Sequence, residues 1–222
     1  MPDVRRPAML AALRLTVRSG LAGVWARGRL PAGPVVWAAN HHSWWDPFIA
    51  GELVAGGGRG MVLLADAANV RRYRSARRIG AVGTDELRTA LAAVRRGAVL
   101  VVYPEGRLLP AGRPGALAPG AVWCAARAPA GLCSVAVRVL LRGGQYPEAY
   151  VTFSEVSADG PPAQVTERLG ARLREDLAGV DRLGAQADAR QPLPGFTRVV
   201  RGRRSWDERI DVARGLLAWP PR

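Results

Sequence analysis

The two histidines of this 222-residue chain stand side by side, His41 and His42, in the stretch "NHHSWWDPF", with Asp46 closing it ahead of Pro47. A carboxylate a few residues from an imidazole can accept a hydrogen bond from one ring nitrogen. That fixes the tautomer and leaves the other nitrogen basic and pointed outward, the arrangement needed to deprotonate a hydroxyl. No serine or cysteine lies in a nucleophile motif such as G-x-S-x-G, so the target is a substrate hydroxyl rather than an enzyme nucleophile. Metal ligation is the rival chemistry. Two histidines and one aspartate, with no H-E-x-x-H or paired-cysteine spacing, make a poor ligand set, and no metal is expected. A third reading makes the imidazoles and Asp46 caps of the turn and of the helix after it.

Such a stretch has to be delivered by a strand and fixed by a helix. The apolar run "VVWAA" ends directly at Asn40, and Pro47 suits the first turn of the helix "DPFIAGELVA". Pro47 also predicts an extended Asp46. Further short Val-rich runs, "MVLLA", "AVLVVY", "LCSVAVRVLL" and "AYVTF", read as buried strands. Between them lie the helical patterns "NVRRYRSARRI", "DELRTALAAVRR" and "GAVWCAARA". Open α/β sheets present reactive groups at the carboxyl ends of their strands. The alternation predicts one α/β domain over residues 1–222, with a mixed, mainly parallel central sheet flanked by helices.

Residues 1–30 read as an N-terminal amphipathic helical segment, broken near Gly20. Leu10, Leu13, Val17, Leu21 and Val24 fall at helical spacing, with Arg6, Arg14 and Arg18 elsewhere on the wheel. Its basic face is either solvated or laid on anionic lipid. Residues 160–222 read as a C-terminal helical extension: a helix to Val180, a loop over 181–197, and a last helix opened by the capping pair Ser205 and Glu208.

All 32 basic side chains are arginine, against 18 acidic ones, for a formal charge of +14. The excess predicts an anionic partner or surface. Two cysteines, Cys124 and Cys133, make no disulfide framework or metal spacing and read as buried hydrophobes. No run reaches a membrane span, and Arg14 and Arg18 interrupt the one candidate leader core. A cytoplasmic protein, peripheral on the inner face of the cell membrane, is expected.

"NHHSWWD" resembles the N-H-x-S-x-x-D block of the PlsC-like glycerolipid acyltransferases, the lysophosphatidate and lysophospholipid acyltransferases whose hallmark is H-x-x-x-x-D. The resemblance selects His41 as the catalytic base, since His41 alone has four residues between itself and Asp46. A second block, "VVYPEGRLLP", looks like the family's F-P-E-G-T-R-S block and follows at the separation the family shows. The likeness extends through residue 155.

The resemblance implies catalytic His41 and Asp46. It further implies a substrate-binding set of Asn40, Ser43, Tyr103, Glu105, Gly106 and Arg107. It implies an O-acyltransferase that uses no cofactor and moves a fatty acyl chain from acyl-CoA or acyl carrier protein to a hydroxyl of a membrane lipid, a lysophospholipid or 1-acylglycerol-3-phosphate. Trp44 and Trp45 then line the acyl channel, meet the lipid interface or pack in the core.

Two arginines that the family commonly assigns to the acceptor's phosphate are displaced. Thr-Arg after Glu-Gly is Arg107-Leu108 here, and in "RRIGAVGTDELR" the other place is held by Asp85 or Glu86, with Arg88 nearby. Arg107 or the cluster Arg71, Arg72, Arg74, Arg77 and Arg78 is the substitute source of charge. A neutral acceptor such as a glycosylated lipid is the alternative. Arginine-rich "NVRRYRSARR" and "RVVRGRR" also prompt a nucleic-acid-binding reading, but that reading gives no account of the paired blocks, and no nucleic acid is expected. A degenerate family member that binds lipid without turnover is a further reading.

Overall fold

The computed structural model describes residues 5–217. Its strands are β1 (Gly23–Arg27), β2 (Val35–Ala39), β3 (Met61–Ala65), β4 (Ala81–Gly83), β5 (Val99–Val102), β6 (Gly131–Leu140), β7 (Glu148–Val156) and β8 (Thr197–Arg201). They form one sheet in the order β4-β3-β5-β2-β6-β7-β1-β8. Only β6–β7 and β1–β8 pair antiparallel, so the sheet is mixed and mainly parallel, as expected. Helices are α1 (Arg5–Gly20), α2 (Asp46–Gly56), α3 (Ala67–Arg72), α4 (Leu87–Arg95), α5 (Gly120–Arg127), α6 (Pro162–Gln186) and α7 (Trp206–Leu217).

The run "VVWAA" is buried along its whole length because β2 sits between two helical layers. Side chains alternate across a strand. Val35, Trp37 and Ala39 therefore pack with Val17 of α1 and Ile49 and Val54 of α2. Val36 and Ala38 pack with Ala90 and Val94 of α4, Ala121 and Val122 of α5 and Val165 of α6. Burial pushes the Cys124 thiol up to about 11 and, with the Glu155 and Asp176 charges nearby, the Cys133 thiol up to about 12. The thiolate is the reactive species, so both cysteines should resist iodoacetamide at mildly alkaline pH in the folded protein and react in denaturant. Native labelling as fast as that of a free thiol would contradict this burial.

Four local expectations change. The N-terminal helix ends at Gly20, and residues 23–27 form β1, which pairs parallel with β7. Val24 is buried there as a strand residue, since "GVWAR" fits a pleated, covered surface better than a further helical turn. Gly20 lies so close to the Trp45 indole that a Cβ would collide with it. Arg14 and Arg18 are not simply a solvated face: both pair with Glu52 of α2, whose side chain is buried.

The arginine-rich pattern is a short α3, a break at Tyr73 and a 3-10 turn over Arg74–Ile79, in place of one helix. In the C-terminal part α6 runs on to Gln186, and Thr197–Arg201 completes the sheet edge beside β1. Before α7 the Ser205 N–H donates to Glu208 Oε2 at 2.8 Å, one half of a capping box. Among the described residues no helix is long and apolar enough to cross a membrane.

Candidate active site

β2 releases the chain at Asn40, in the middle of the sheet, and β5 beside it releases Tyr103 at the same edge. The two sequence blocks therefore meet at the carboxyl ends of adjacent parallel strands. His41 Nδ1 lies 2.9 Å from Asp46 Oδ2, and Asp46 is buried while the His41 side chain keeps 22 % of its surface exposed. A carboxylate can only accept, so Nδ1 carries the proton and Nε2 is left as the basic nitrogen.

The same Asp46 oxygen accepts the backbone N–H groups of His42 and Ser43, each at 2.9 Å. These bonds explain why Asp46 opens α2 instead of lying extended before Pro47. The Asp46 N–H is itself bonded to the Ser43 carbonyl at 3.2 Å, and Trp45 ahead of it already has helical dihedrals of −73° and −20°. Three donors to one carboxylate outweigh the mild preference of a residue before proline.

Tyr103 stacks on His41, with ring centroids 4.3 Å apart and 20° between planes. Its phenol is held well above the usual tyrosine range by burial and by the Asp46 charge, so it stays neutral. Against His41 and Tyr103 opens a cleft of about 590 Å³, whose walls are Leu63, Leu64, Val102, Leu108 and Ala118, with Asp66, Asn69, Thr84, Gly106 and Arg107 as its polar and backbone features. Gly106 takes a positive φ of 70° that only glycine adopts without strain.

Two members of the expected substrate-binding set face inward instead. Asn40 is buried; its amide donates to the Val137 carbonyl at 3.0 Å and accepts the Val137 N–H at 2.8 Å, pinning the turn to β6. The Glu105 side chain is buried too. Its Oε2 accepts the His41 N–H at 2.6 Å, and its Oε1 accepts Gly115 N–H at 2.8 Å and lies 3.1 Å from His42 Nε2. Neither side chain has a polar atom left for a ligand, because a turn between buried strand ends needs partners for its own backbone. The Ser43 hydroxyl accepts the Trp45 N–H at 3.2 Å. Tyr103, Gly106 and Arg107 do line the cleft.

Sequence reasoning passed over Arg138 and Asp181. Arg138 is buried on β6 and reaches His42 Nδ1 at 2.8 Å. It also makes a two-pronged pair with Asp181 of α6 at 2.7 and 2.9 Å and donates to the Gly112 carbonyl at 2.6 Å. The signal was an arginine inside the valine run "SVAVRVLL". Within the arginine cluster, Arg71 pairs with Asp85 and Arg77 with Glu86, on the surface. Among the described residues no three His, Cys, Asp or Glu side chains group as a metal site.

A family model described as Acyltransferase matches residues 24–138, just over half of the chain, and so spans both blocks. No curated protein matches by sequence. Among solved structures the chain is similar to the crystal structure of the 1-acyl-sn-glycerophosphate (LPA) acyltransferase, PlsC, from Thermotoga maritima. The TM-score is 0.60 at 16% identity, with 82% of this chain and 84% of that one covered. At that identity the likeness is one of fold.

Proposed function

The chain belongs to the acyltransferase family, and from the geometry of its site we propose that it moves a fatty acyl chain from an acyl thioester, acyl-CoA or acyl carrier protein, to a hydroxyl of a membrane lipid. His41 is the general base. The observation that carries this reading is the His41–Asp46 pair at 2.9 Å, with the ring on the wall of a largely apolar cleft.

Nε2 of His41 takes the hydroxyl proton as the acceptor oxygen attacks the thioester carbonyl. The new C–O ester bond forms, the C–S bond breaks, and the proton on His41 passes to the departing thiolate. Asp46 holds the ring in the Nδ1–H tautomer and stabilises the imidazolium, while Tyr103 stacked on its face keeps it from rotating. A thioester carries its own activation, so the scheme needs neither a cofactor nor an acyl-enzyme.

The acceptor is a lysophospholipid or 1-acylglycerol-3-phosphate. Arg107, the one arginine among the described residues on the cleft wall, is the phosphate contact, and the 1-acyl-sn-glycerophosphate for which the Thermotoga enzyme is named supports the same class. A glycosylated lipid is the second reading, favoured by Asp85 and Glu86 at the place where the family carries a second arginine. The protein works on the inner face of the cell membrane as a peripheral enzyme. Its net charge of +14 suits an anionic lipid surface, and exposed Trp44 and Leu108 stand beside the site.

Incubation with a radiolabelled long-chain acyl thioester and single acceptors in mixed micelles tests this. The label is expected in an O-ester of the phosphate-bearing lipid, with Arg107→Ala raising KM for that lipid more than it lowers kcat. Preference for the glycolipid, insensitive to Arg107, would select the second reading. No label in any lipid ester would remove both.

A further inference from the structure

Charged groups away from water cost several kcal/mol each unless they are paired, so a buried arginine on a central strand needs an explanation. Arg138 has one partner on α6, one in the loop after β5 and one in the histidine stretch: Asp181, the Gly112 carbonyl and His42 Nδ1. A guanidinium can only donate, so His42 accepts at Nδ1 and carries its proton on Nε2. That N–H points at Glu105 Oε1, 3.1 Å away. The other Glu105 oxygen holds the His41 backbone at 2.6 Å.

The charged and titratable groups around the His42 side chain and backbone are thus Arg138, Glu105 and, at its N–H, Asp46. Adjacent histidines are in this way set in opposite tautomers: His41 with its proton on Nδ1 toward Asp46, His42 with its proton on Nε2 toward Glu105.

We propose that Arg138 and Asp181 are positioning residues for acyl transfer, acting through His42 and Glu105 to hold the backbone of His41 where its ring meets the cleft. Arg138 reads the ring of His42 from β6, and Asp181 holds Arg138 from α6. The C-terminal part of the chain, otherwise remote from the chemistry, thereby contributes to the site. Glu105 receives three donors, and His42 is the only one of them whose direction depends on a proton that can be placed on either of two atoms. With Arg138 gone, His42 still has Glu105 as the acceptor of its Nε2 proton, but its Nδ1 loses the donor that fixes the ring from the other side, and the carboxylate under His41 loses a partner held in place.

This inference rests on His41 being the base, and the test separates the two. The chain has two histidines, so imidazole nitrogen–proton correlations of 15N-labelled protein near neutral pH contain two ring patterns. One is expected to be protonated at Nδ1 and the other at Nε2. Arg138→Met should shift the unprotonated Nδ1 signal of the second ring, which loses its donor, leave the first ring unchanged, and lower kcat by roughly 10- to 100-fold with KM little altered, the effect of misplacing a base.

His42→Gln, whose amide can both donate to Glu105 and accept from Arg138, should retain more activity than His42→Leu. Asp181→Ala changes a half-exposed side chain and should fold; it is expected to lower kcat in the same direction by less. An unchanged kcat in both Arg138→Met and Asp181→Ala, or a lost kcat with the His42 Nδ1 signal unshifted, overturns the inference while leaving His41 as the base. Full activity in His41→Ala would instead remove the reading on which it rests.

Discussion

Replacing His41 with alanine is expected to lower kcat by roughly 10²- to 10⁴-fold, the contribution of a positioned general base, with little change in KM or thermal stability. The ring is partly exposed on the cleft wall; its loss uncovers the face of Tyr103 and removes one of three donors to Asp46 Oδ2, which keeps the N–H groups of His42 and Ser43. Backbone contacts that shape the turn, His41 N–H to Glu105 and Leu109 N–H to the His41 carbonyl at 2.8 Å, do not involve the ring and survive the substitution. Steady-state rates beside a denaturant titration check it. A comparable loss of stability would mean that the ring holds the fold, the capping role that spacing alone also allows.

Asp46 gives the second large effect, and two substitutions divide it. Asp46→Ala removes the acceptor of three donors at once: the His41 ring and the N–H groups of His42 and Ser43. Each buried donor left alone costs about 1–3 kcal/mol, so stability should fall by about 2–4 kcal/mol, allowing for partial relaxation of the turn. The rate should fall as far as in His41→Ala, since the ring loses its tautomer.

Asp46→Asn is milder. Its amide oxygen can replace Oδ2 toward all three donors, and its amide nitrogen would lie where Oδ1 now has no hydrogen-bond partner. The fold and the tautomer are then kept while the charge opposite the imidazolium is lost. A rate and a stability each between those of the parent and Asp46→Ala are expected, since the buried amide nitrogen finds no partner there, from guanidinium unfolding and initial rates on all three proteins.

Five of the strands, β2, β3, β5, β6 and β7, were legible as apolar runs, most of them largely buried, and the His41–Asp46 pair because both of its members lie on one turn; β4 is too short a run to stand out. Other features were not legible, for physical reasons. β1 follows a helix across only two residues, so its apolar positions continue the helical count. β8 is mostly exposed and carries two arginines, so hydropathy does not mark it. Asn40 and Glu105 belong to matched blocks, yet their side chains are taken by backbone groups of β6 and of the turn itself. A motif names residues without saying which way they face. Arg138 and Asp181 stand far from His42 in the chain, and only the packing of α6 on β6 brings them together.

Chemical rescue tests directly whether the Nε2 atom of His41 is the proton acceptor. His41→Ala opens the cleft wall where the ring stood, and acyl transfer by this protein is to be measured against rising concentrations of imidazole. With Nε2 as that acceptor, the rate is near background without imidazole and climbs and saturates as the free base fills the vacated place, beside Asp46 and Tyr103. Transfer at the parent rate with no imidazole present would contradict it.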